Sequence, residues 1–309
     1  MNNKVLVLGS FVADLAFRAV RLPAWGETLM GESFVLGPGG KGSNQAVAAA
    51  RAGAHVQFLS KLCDDAFGKI ARDLWAADNI DATLVQNGPT PTGAAAILID
   101  AVHGENAIIV VPGACFTLTP AEVEAVGNSI RTAKIFLTQL ELPIETVERG
   151  LHIARSAGVP TILNPAPAPV APLPDALIAL SDYFIPNETE AALLTGLPVN
   201  DINQAKAAAA ALQARGARNV ILTLGSKGAL VCPSDGTATL VPIFNAGPVV
   251  ETTGAGDAFC GGFAAALAEG LPLLEAVRFG NATAGISVTR PGTAPSMPQR
   301  AEIEALMAQ

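Results

Sequence analysis

The sequence predicts an α/β protein: a parallel sheet covered by helices on both faces, with a small second sheet beside it. Three observations carry this. Short apolar runs alternate with longer Ala-rich amphipathic stretches along most of the chain, the βαβα pattern of a parallel sheet. Runs such as Val220-Ile221-Leu222 are apolar without a break, which suits strands buried on both sides. Two stretches, 16–36 and 92–111, break the alternation and carry strand-like patterns with no helix.

The first strand is expected at 5–9. Its apolar run is too short for a signal sequence and ends at Gly9-Ser10. Further strands are expected at 55–60, 135–138, 160–163, 183–186 and 220–224. Helices between them are expected at 43–52, 67–77, 120–129, 144–157, 188–195 and 202–215, and the chain closes with helices at about 255–269, 273–287 and 300–307. Residues 16–36 read as short strands around Pro23 and Gly26. Residues 92–111 read as strands at 94–99 and 107–111, joined by the polar turn His103-Gly104-Glu105-Asn106. These pieces can pair outside the main sheet, as a lid does. With no repeat and no dividing linker, residues 1–15, 37–91 and 112–309 form the expected core, and 16–36 and 92–111 the expected lid.

Composition narrows the function. The chain has 309 residues, 50% of them hydrophobic and only 15% charged, which excludes disorder. A net charge of −8 without basic runs speaks against nucleic acid and anionic membrane surfaces as partners. No span of about 20 apolar residues is present, so no transmembrane helix is expected. Cys63, Cys115, Cys232 and Cys260 are far apart, with no CxxC pair, and read as free thiols in a reducing cytoplasm. A low charged fraction leaves apolar surface to be covered, which points to an oligomer.

Four motifs can carry chemistry. Gly37-Pro38-Gly39-Gly40-Lys41-Gly42-Ser43-Asn44 leads into a helix; its glycines admit close backbone approach, and the helix end favours a polyhydroxy or anionic ligand. It matches GxGxxG, but the acid a dinucleotide site needs about 20 residues later is missing, and a P-loop frame fails too. Glu251-Thr252-Thr253-Gly254-Ala255-Gly256-Asp257 opens another helix. Amides there can hold a transferring phosphoryl group, and Asp257 can take a hydroxyl proton; the plain alternative is an acid on the helix dipole. Asn187-Glu188-Thr189-Glu190 can hold hydrated Mg²⁺ near phosphates or form a capping box. Thr223-Leu224-Gly225-Ser226-Lys227-Gly228 ends a strand where open α/β sheets bind ligands, or is a simple turn. Glu141 follows a buried strand and either faces a cleft or is a surface acid. Trp25 and Trp75 read as packing residues, and His55, His103 and His152 are too scattered to be ligands. No GxSxG or HExxH is present.

In combination the chain resembles the ribokinase-like (PfkB) family of carbohydrate kinases over essentially its whole length. The glycine motif, the Asn-Glu-Thr-Glu run and the Gly-Ala-Gly-Asp motif stand in the family's order and spacing. Asn164-Pro165-Ala166-Pro167-Ala168 and the tail from Arg290 to Pro298 match as well. The resemblance implies a three-layer αβα Rossmann-like fold with a small β lid that also makes the dimer contact. It implies ATP-dependent phosphorylation of a primary hydroxyl of a pentose, ribose or deoxyribose. The alternatives are a nucleoside kinase of the same family and a kinase for another sugar or sugar acid. By the same resemblance Asp257 matches the catalytic base, and Gly254, Ala255 and Gly256 the anion hole. Asp14, Gly40, Lys41, Gly42, Asn44 and Glu141 match sugar contacts. Asn187, Thr223, Gly225, Ser226, Gly228 and Asn281 match the nucleotide side, and Glu190 the acid tied to Mg²⁺. Glu251, Thr253, Ser287, Arg290, Gly292 and Ser296 match a loop site for a monovalent cation, K⁺.

Two positions depart from the family pattern. Sugar kinases of this type usually read Asn-x-Asp after the first strand; here the residues are Val12-Ala13-Asp14. Valine can neither donate to nor accept from a hydroxyl, which implies a relaxed or shifted preference, towards deoxyribose or another sugar lacking a hydroxyl there. Glu251 replaces the usual Asp, and its extra methylene bears on the K⁺ loop.

Overall fold

The computed structural model describes residues 3–103, 106–169 and 171–309. In chain order its strands are β1 (Lys4–Leu8), β2 (Val12–Ala19), β3 (Ser33–Gly39), β4 (His55–Leu59), β5 (Lys61–Leu62), β6 (Gln86–Asn87), β7 (Thr92–Asp100), β8 (Asn106–Gly113), β9 (Ile135–Thr138), β10 (Thr161–Leu163), β11 (Tyr183–Phe184), β12 (Asn219–Thr223), β13 (Ala229–Cys232) and β14 (Thr239–Val241). The helices are α1 (Lys41–Arg51), α2 (Ala66–Ala77), α3 (Pro120–Ala125), α4 (Gly127–Arg131), α5 (Ile144–Ser156), α6 (Asp175–Ile178), α7 (Glu188–Thr195), α8 (Ile202–Ala214), α9 (Ala255–Glu269), α10 (Leu273–Ser287) and α11 (Arg300–Met307).

The main sheet runs β14-β13-β12-β11-β10-β9-β1-β4. It is parallel from β12 to β4, and β13 and β14 extend it antiparallel. Side chains alternate between its faces, so β1 feeds two cores. Val5 and Val7 pack with α1, α9 and α10, whereas Leu6 and Leu8 pack with α3, α5 and α8. Helix α9 is buried along most of its length between α1 and α10. Two of its glycines permit that: a Cβ on Gly261 would lie 2.5 Å from the Ala48 Cβ, and one on Gly262 2.3 Å from the Thr283 hydroxyl. The carboxyl ends of β1, β9, β10, β11 and β12 open on one edge, where doubly wound sheets bind ligands.

The second sheet runs β3-β2-β7-β8, with β2 parallel to β7 and the other pairs antiparallel. Its apolar side chains include Phe34, Val35, Ile109 and Val111, all more than half exposed. The strands differ from those expected. Pro23 and Gly26 lie in the connection between β2 and β3 and form no strand. Residues 12–15 and 37–39 belong to the strands instead, so Asp14 and Gly37 pair within the second sheet. Strands β7 and β8 enclose the expected 94–99 and 107–111; Gly104 and Glu105 of the polar turn lie outside the described residues. The helix expected at 120–129 is two helices parted at Val126, ahead of helix-poor Gly127.

Trp75 is fully buried, packs on Phe11 and Phe58, and donates its indole N–H to Ser43 Oγ at 2.9 Å. Trp25, expected to pack, is fully exposed because the connection that carries it has no core within reach. The four cysteines are free. No helix among the described residues is long and apolar enough to cross a membrane.

Candidate active site

The glycine motif joins the two sheets. Strand β3 runs directly into α1 through Gly40, whose φ of 86° ends the strand and caps the helix. Gly42 lies against the turn after β1: a Cβ there would sit 2.5 Å from Gly9 Cα and Ser10 N. This close approach turns Lys41, Asn44 and Gln45 towards the strand ends. The backbone N–H of Lys41 donates to Glu141 Oε2 at 2.9 Å, and the Ser10 hydroxyl donates to the same oxygen. Glu141 therefore faces inward and pins the start of α1.

Asp257 stands in the first turn of α9 and is 6% exposed. Gly254, the cap before it, has a left-handed φ of 82°, which aims the amides of the first turn outward. The Asp257 carboxylate accepts from Asn44 Nδ2 at 3.0 Å and from Gln45 Nε2 at 2.9 Å. Gln45 Nε2 also donates to Asn164 Oδ1 at 3.0 Å, and Gln45 Oε1 accepts from Gln139 Nε2 at 2.6 Å. Asn44 Oδ1 is buried without a partner among the described residues, an acceptor ready for a ligand hydroxyl.

Charge is concentrated here. Burial pushes the Asp14 carboxyl up to about 6, helped by the carboxylates of Glu141, Asp257 and Glu251. Burial opposes the Lys41 ammonium, but Asp257, Glu141 and Glu190 outweigh it and raise its pKa. Burial also raises Glu190 and, strongly, Cys260, which lines the cleft one turn after Asp257.

Asn187 and Glu190 form a reciprocal capping box on α7, with Asn187 N to Glu190 Oε2 and Glu190 N to Asn187 Oδ1 both at 2.8 Å. The cap holds Glu190 in the cleft wall, where it meets Lys41, Asn187, Thr223, Gly254, Gly256 and Asp257. Thr223 bridges to Asn187 at the strand end. Beyond it Gly225 and Ser226 are exposed, and Gly228 turns the chain into β13 with φ 99°. The Asn281 amide donates to the carbonyls of Val241 and Pro242, so its side chain fixes the end of β14.

Asp14, Asn44 and Glu141 stand behind this cleft, linked to it through Asp257 and Lys41. The residues expected at a cation site lie ahead of α9 (Glu251, Thr253), at the end of α10 (Ser287) and in the segment after it (Arg290, Gly292, Ser296). Glu251 Oε2 accepts from Gly292 N at 2.8 Å, and Ser296 Oγ donates to Thr293 O at 2.7 Å. Ser287 Oγ donates to Ala284 O, and the Arg290 guanidinium reaches away to Glu302, leaving the Arg290 backbone for the loop. Thr253 is exposed. No cluster of three or more His, Cys, Asp or Glu side chains among the described residues forms a metal site. A lone carboxylate such as Glu190 fits Mg²⁺, which takes one or two carboxylates and otherwise phosphates and water.

Reading the sequence for motifs missed Gln45, Gln139 and Ser10. Gln45 directly follows Asn44 in the glycine motif, which was the only available signal.

The sequence pattern of the pfkB family carbohydrate kinases matches residues 2–300. The chain is 40% identical to a ribokinase of Haemophilus influenzae, covering 98% of this chain and 97% of that one. It is 36% identical to a deoxyribokinase of Salmonella typhi, covering 95% of each. The structure of Arabidopsis thaliana ribokinase complexed with ribose and ATP superposes with a TM-score of 0.95 at 33% identity, over 100% of both chains. The chain belongs to the pfkB family of carbohydrate kinases.

Proposed function

We propose that this enzyme transfers the γ-phosphoryl group of ATP to a primary hydroxyl of a pentose. The observation that carries the reading is the placement of Asp257. Its carboxylate is held by the Asn44 and Gln45 amides at a glycine-flanked helix start, on the same cleft wall as Lys41 and Glu190. Further support comes from relatives named ribokinase and deoxyribokinase, and from a structural neighbour that binds ribose and ATP.

In this reading the sugar lies between Asp14 on β2 and the core residues Gly40, Lys41, Gly42, Asn44 and Glu141. Its hydroxyl donates to the open Asn44 Oδ1. Asp257 takes the proton of the attacking hydroxyl as the new O–P bond forms and the bond from the γ-phosphorus to the bridging oxygen breaks, leaving ADP. Amides of Gly254, Ala255 and Gly256 take up the charge on the phosphoryl oxygens. The nucleotide runs along Asn187, Thr223, Gly225, Ser226, Gly228 and Asn281. Glu190 holds Mg²⁺, which neutralises phosphate charge when bound. Glu251, Thr253, Ser287, Arg290, Gly292 and Ser296 form the K⁺ loop. The second sheet acts as a lid and, through its exposed apolar side chains, as the contact of a homodimer in the cytoplasm.

An ATP-consumption screen over pentoses, deoxypentoses, hexoses and nucleosides, with K⁺ or Na⁺, tests this. Phosphorylation of a pentose is the expected result; turnover only with a nucleoside or a hexose refutes it. Size-exclusion with light scattering is expected to give a dimer, and a monomer refutes the lid contact.

A further inference from the structure

Four buried polar side chains, Gln139, Gln45, Asn164 and Asp257, join in one hydrogen-bonded chain, and they are 2%, 0%, 7% and 6% exposed. The chain is anchored at a backbone carbonyl. Asn164 Nδ2 donates to Ile185 O at 2.8 Å. A carbonyl can only accept, so Asn164 must turn its Oδ1 towards Gln45. Gln45 must answer with its NH₂ group, which has two hydrogens: one goes to Asn164 Oδ1 at 3.0 Å and the other to Asp257 Oδ1 at 2.9 Å. The opposite edge of the same amide, Oε1, accepts from Gln139 Nε2 at 2.6 Å. Rotating the Gln45 amide by half a turn would set oxygen against the oxygens of Asn164 and Asp257, and nitrogen against that of Gln139. One orientation alone satisfies the Gln45 amide, while at the far end Gln139 Oε1 has no partner among the described residues.

We propose that Gln45 is the positioning residue for Asp257: the polarity passed from the Ile185 carbonyl fixes the carboxylate's orientation and presents it as an acceptor to the substrate hydroxyl. Asp257 Oδ2 also meets a donor, Asn44 Nδ2 at 3.0 Å. Both oxygens thus face N–H groups, which hold the carboxylate in one orientation. The link is long in sequence and short in space. It ties residues on α1, after β9, after β10 and on α9 to one carboxylate, so the geometry holds only when the sheet edge and both helices are in place.

The inference rests on the kinase reading above, and its test separates the two. Steady-state kcat and KM are measured for Gln45→Met, which keeps length and volume but removes the amide, alone and combined with Asp257→Asn. Gln45→Met is expected to lower kcat roughly 10- to 100-fold, with both KM values within about threefold of the parent. In the Asp257→Asn background the same change is expected to alter residual kcat less than about twofold, because its target is already gone. A kcat within about threefold of the parent overturns the proposal, and so does an equal loss in both backgrounds, the mark of a merely structural role. Should Gln45→Met fail to fold, Gln139→Met releases the same amide from one step away. It is expected to lower kcat several-fold at unchanged KM, and a parent-like kcat overturns the proposal. A parent protein inactive on every sugar refutes both readings; an active parent with parent-like variants refutes only this one.

Discussion

The carboxylate of Asp14 occupies the space where Gly39 would carry a side chain: a Cβ built on Gly39 lies 2.3 Å from the Asp14 carboxyl carbon and both its oxygens. The two residues lie on neighbouring strands of the β2–β3 pair, two positions apart in its register, since Asp14 pairs with Gly37 and Gly39 with Val12. Gly39→Ala is therefore expected to drive Asp14 from its place. KM for the sugar should rise about tenfold or more, a loss of about 1.4 kcal/mol, with a smaller change in KM for ATP. An unchanged sugar KM would show that Asp14 does not touch the sugar.

Asp14 also gives the enzyme a pH dependence. Its folded pKa of about 6 lies above the ordinary 3.8, chiefly because it is buried. The folded state thus holds the proton more tightly than the unfolded one. The stability this confers is complete below about pH 4 and lost as pH rises through about 6. Asp14→Asn carries no such charge, so it is expected to exceed the parent's stability by about 1–3 kcal/mol at pH 8 and to lose that advantage near pH 4. Urea unfolding at the two pH values measures this; a constant difference contradicts it.

Asp257→Asn keeps the shape of the site and removes the proton acceptor. It is expected to bind sugar with about the parent's affinity while losing roughly 10²–10⁴ in kcat. Calorimetry for binding and a coupled assay for turnover separate the two effects. Turnover within about threefold of the parent would remove Asp257 from the role of base.

Val12 is buried on β2 two residues before Asp14, so both side chains lie on the same face of the strand. An isopropyl group there leaves a sugar hydroxyl unpaired, which disfavours sugars that carry one. We expect kcat/KM for 2-deoxyribose to equal or exceed that for ribose, and Val12→Asn to move the ratio towards ribose by about tenfold or more. A strong ribose preference in the parent would sink the idea.

Most of the main sheet was legible because parallel strands buried on both faces are continuous apolar runs, and the helices between them are amphipathic or Ala-rich. Helix α7 fits its predicted bounds because Asn187 and Glu190 cap it from within the sequence. The second sheet was harder. Pro23 and Gly26 mark a local turn, and the strands they separate are set by distant pairing of β2 with β7. Strands β13 and β14 went unseen, since each is short and the pairing of β13 with β12 and of β14 with β13 completes a sheet edge no local pattern announces. Asp257 was legible because a charge beside glycines at a helix start is conspicuous. Gln45 was not, because an uncharged amide in an Ala-rich helix looks like helix surface until Asp257, 212 residues away, is folded against it.

Asp14 belongs to the small sheet, whereas Asp257 belongs to the core helix α9. The small sheet joins the core through Gly9-Ser10-Phe11 and Gly40 on the β2–β3 side and beside Thr92 and Gly113 on the β7–β8 side, where Thr92 N donates to Asp65 Oδ2 at 2.8 Å, and Thr293 Oγ1 clasps its edge by donating to Pro38 O at 3.2 Å. In the proposed function, a sugar held by both aspartates would add one more tie across that seam. Its arrival would tighten the seam, and phosphorylation, which would add charge beside carboxylates already crowded together, would work to unpick it.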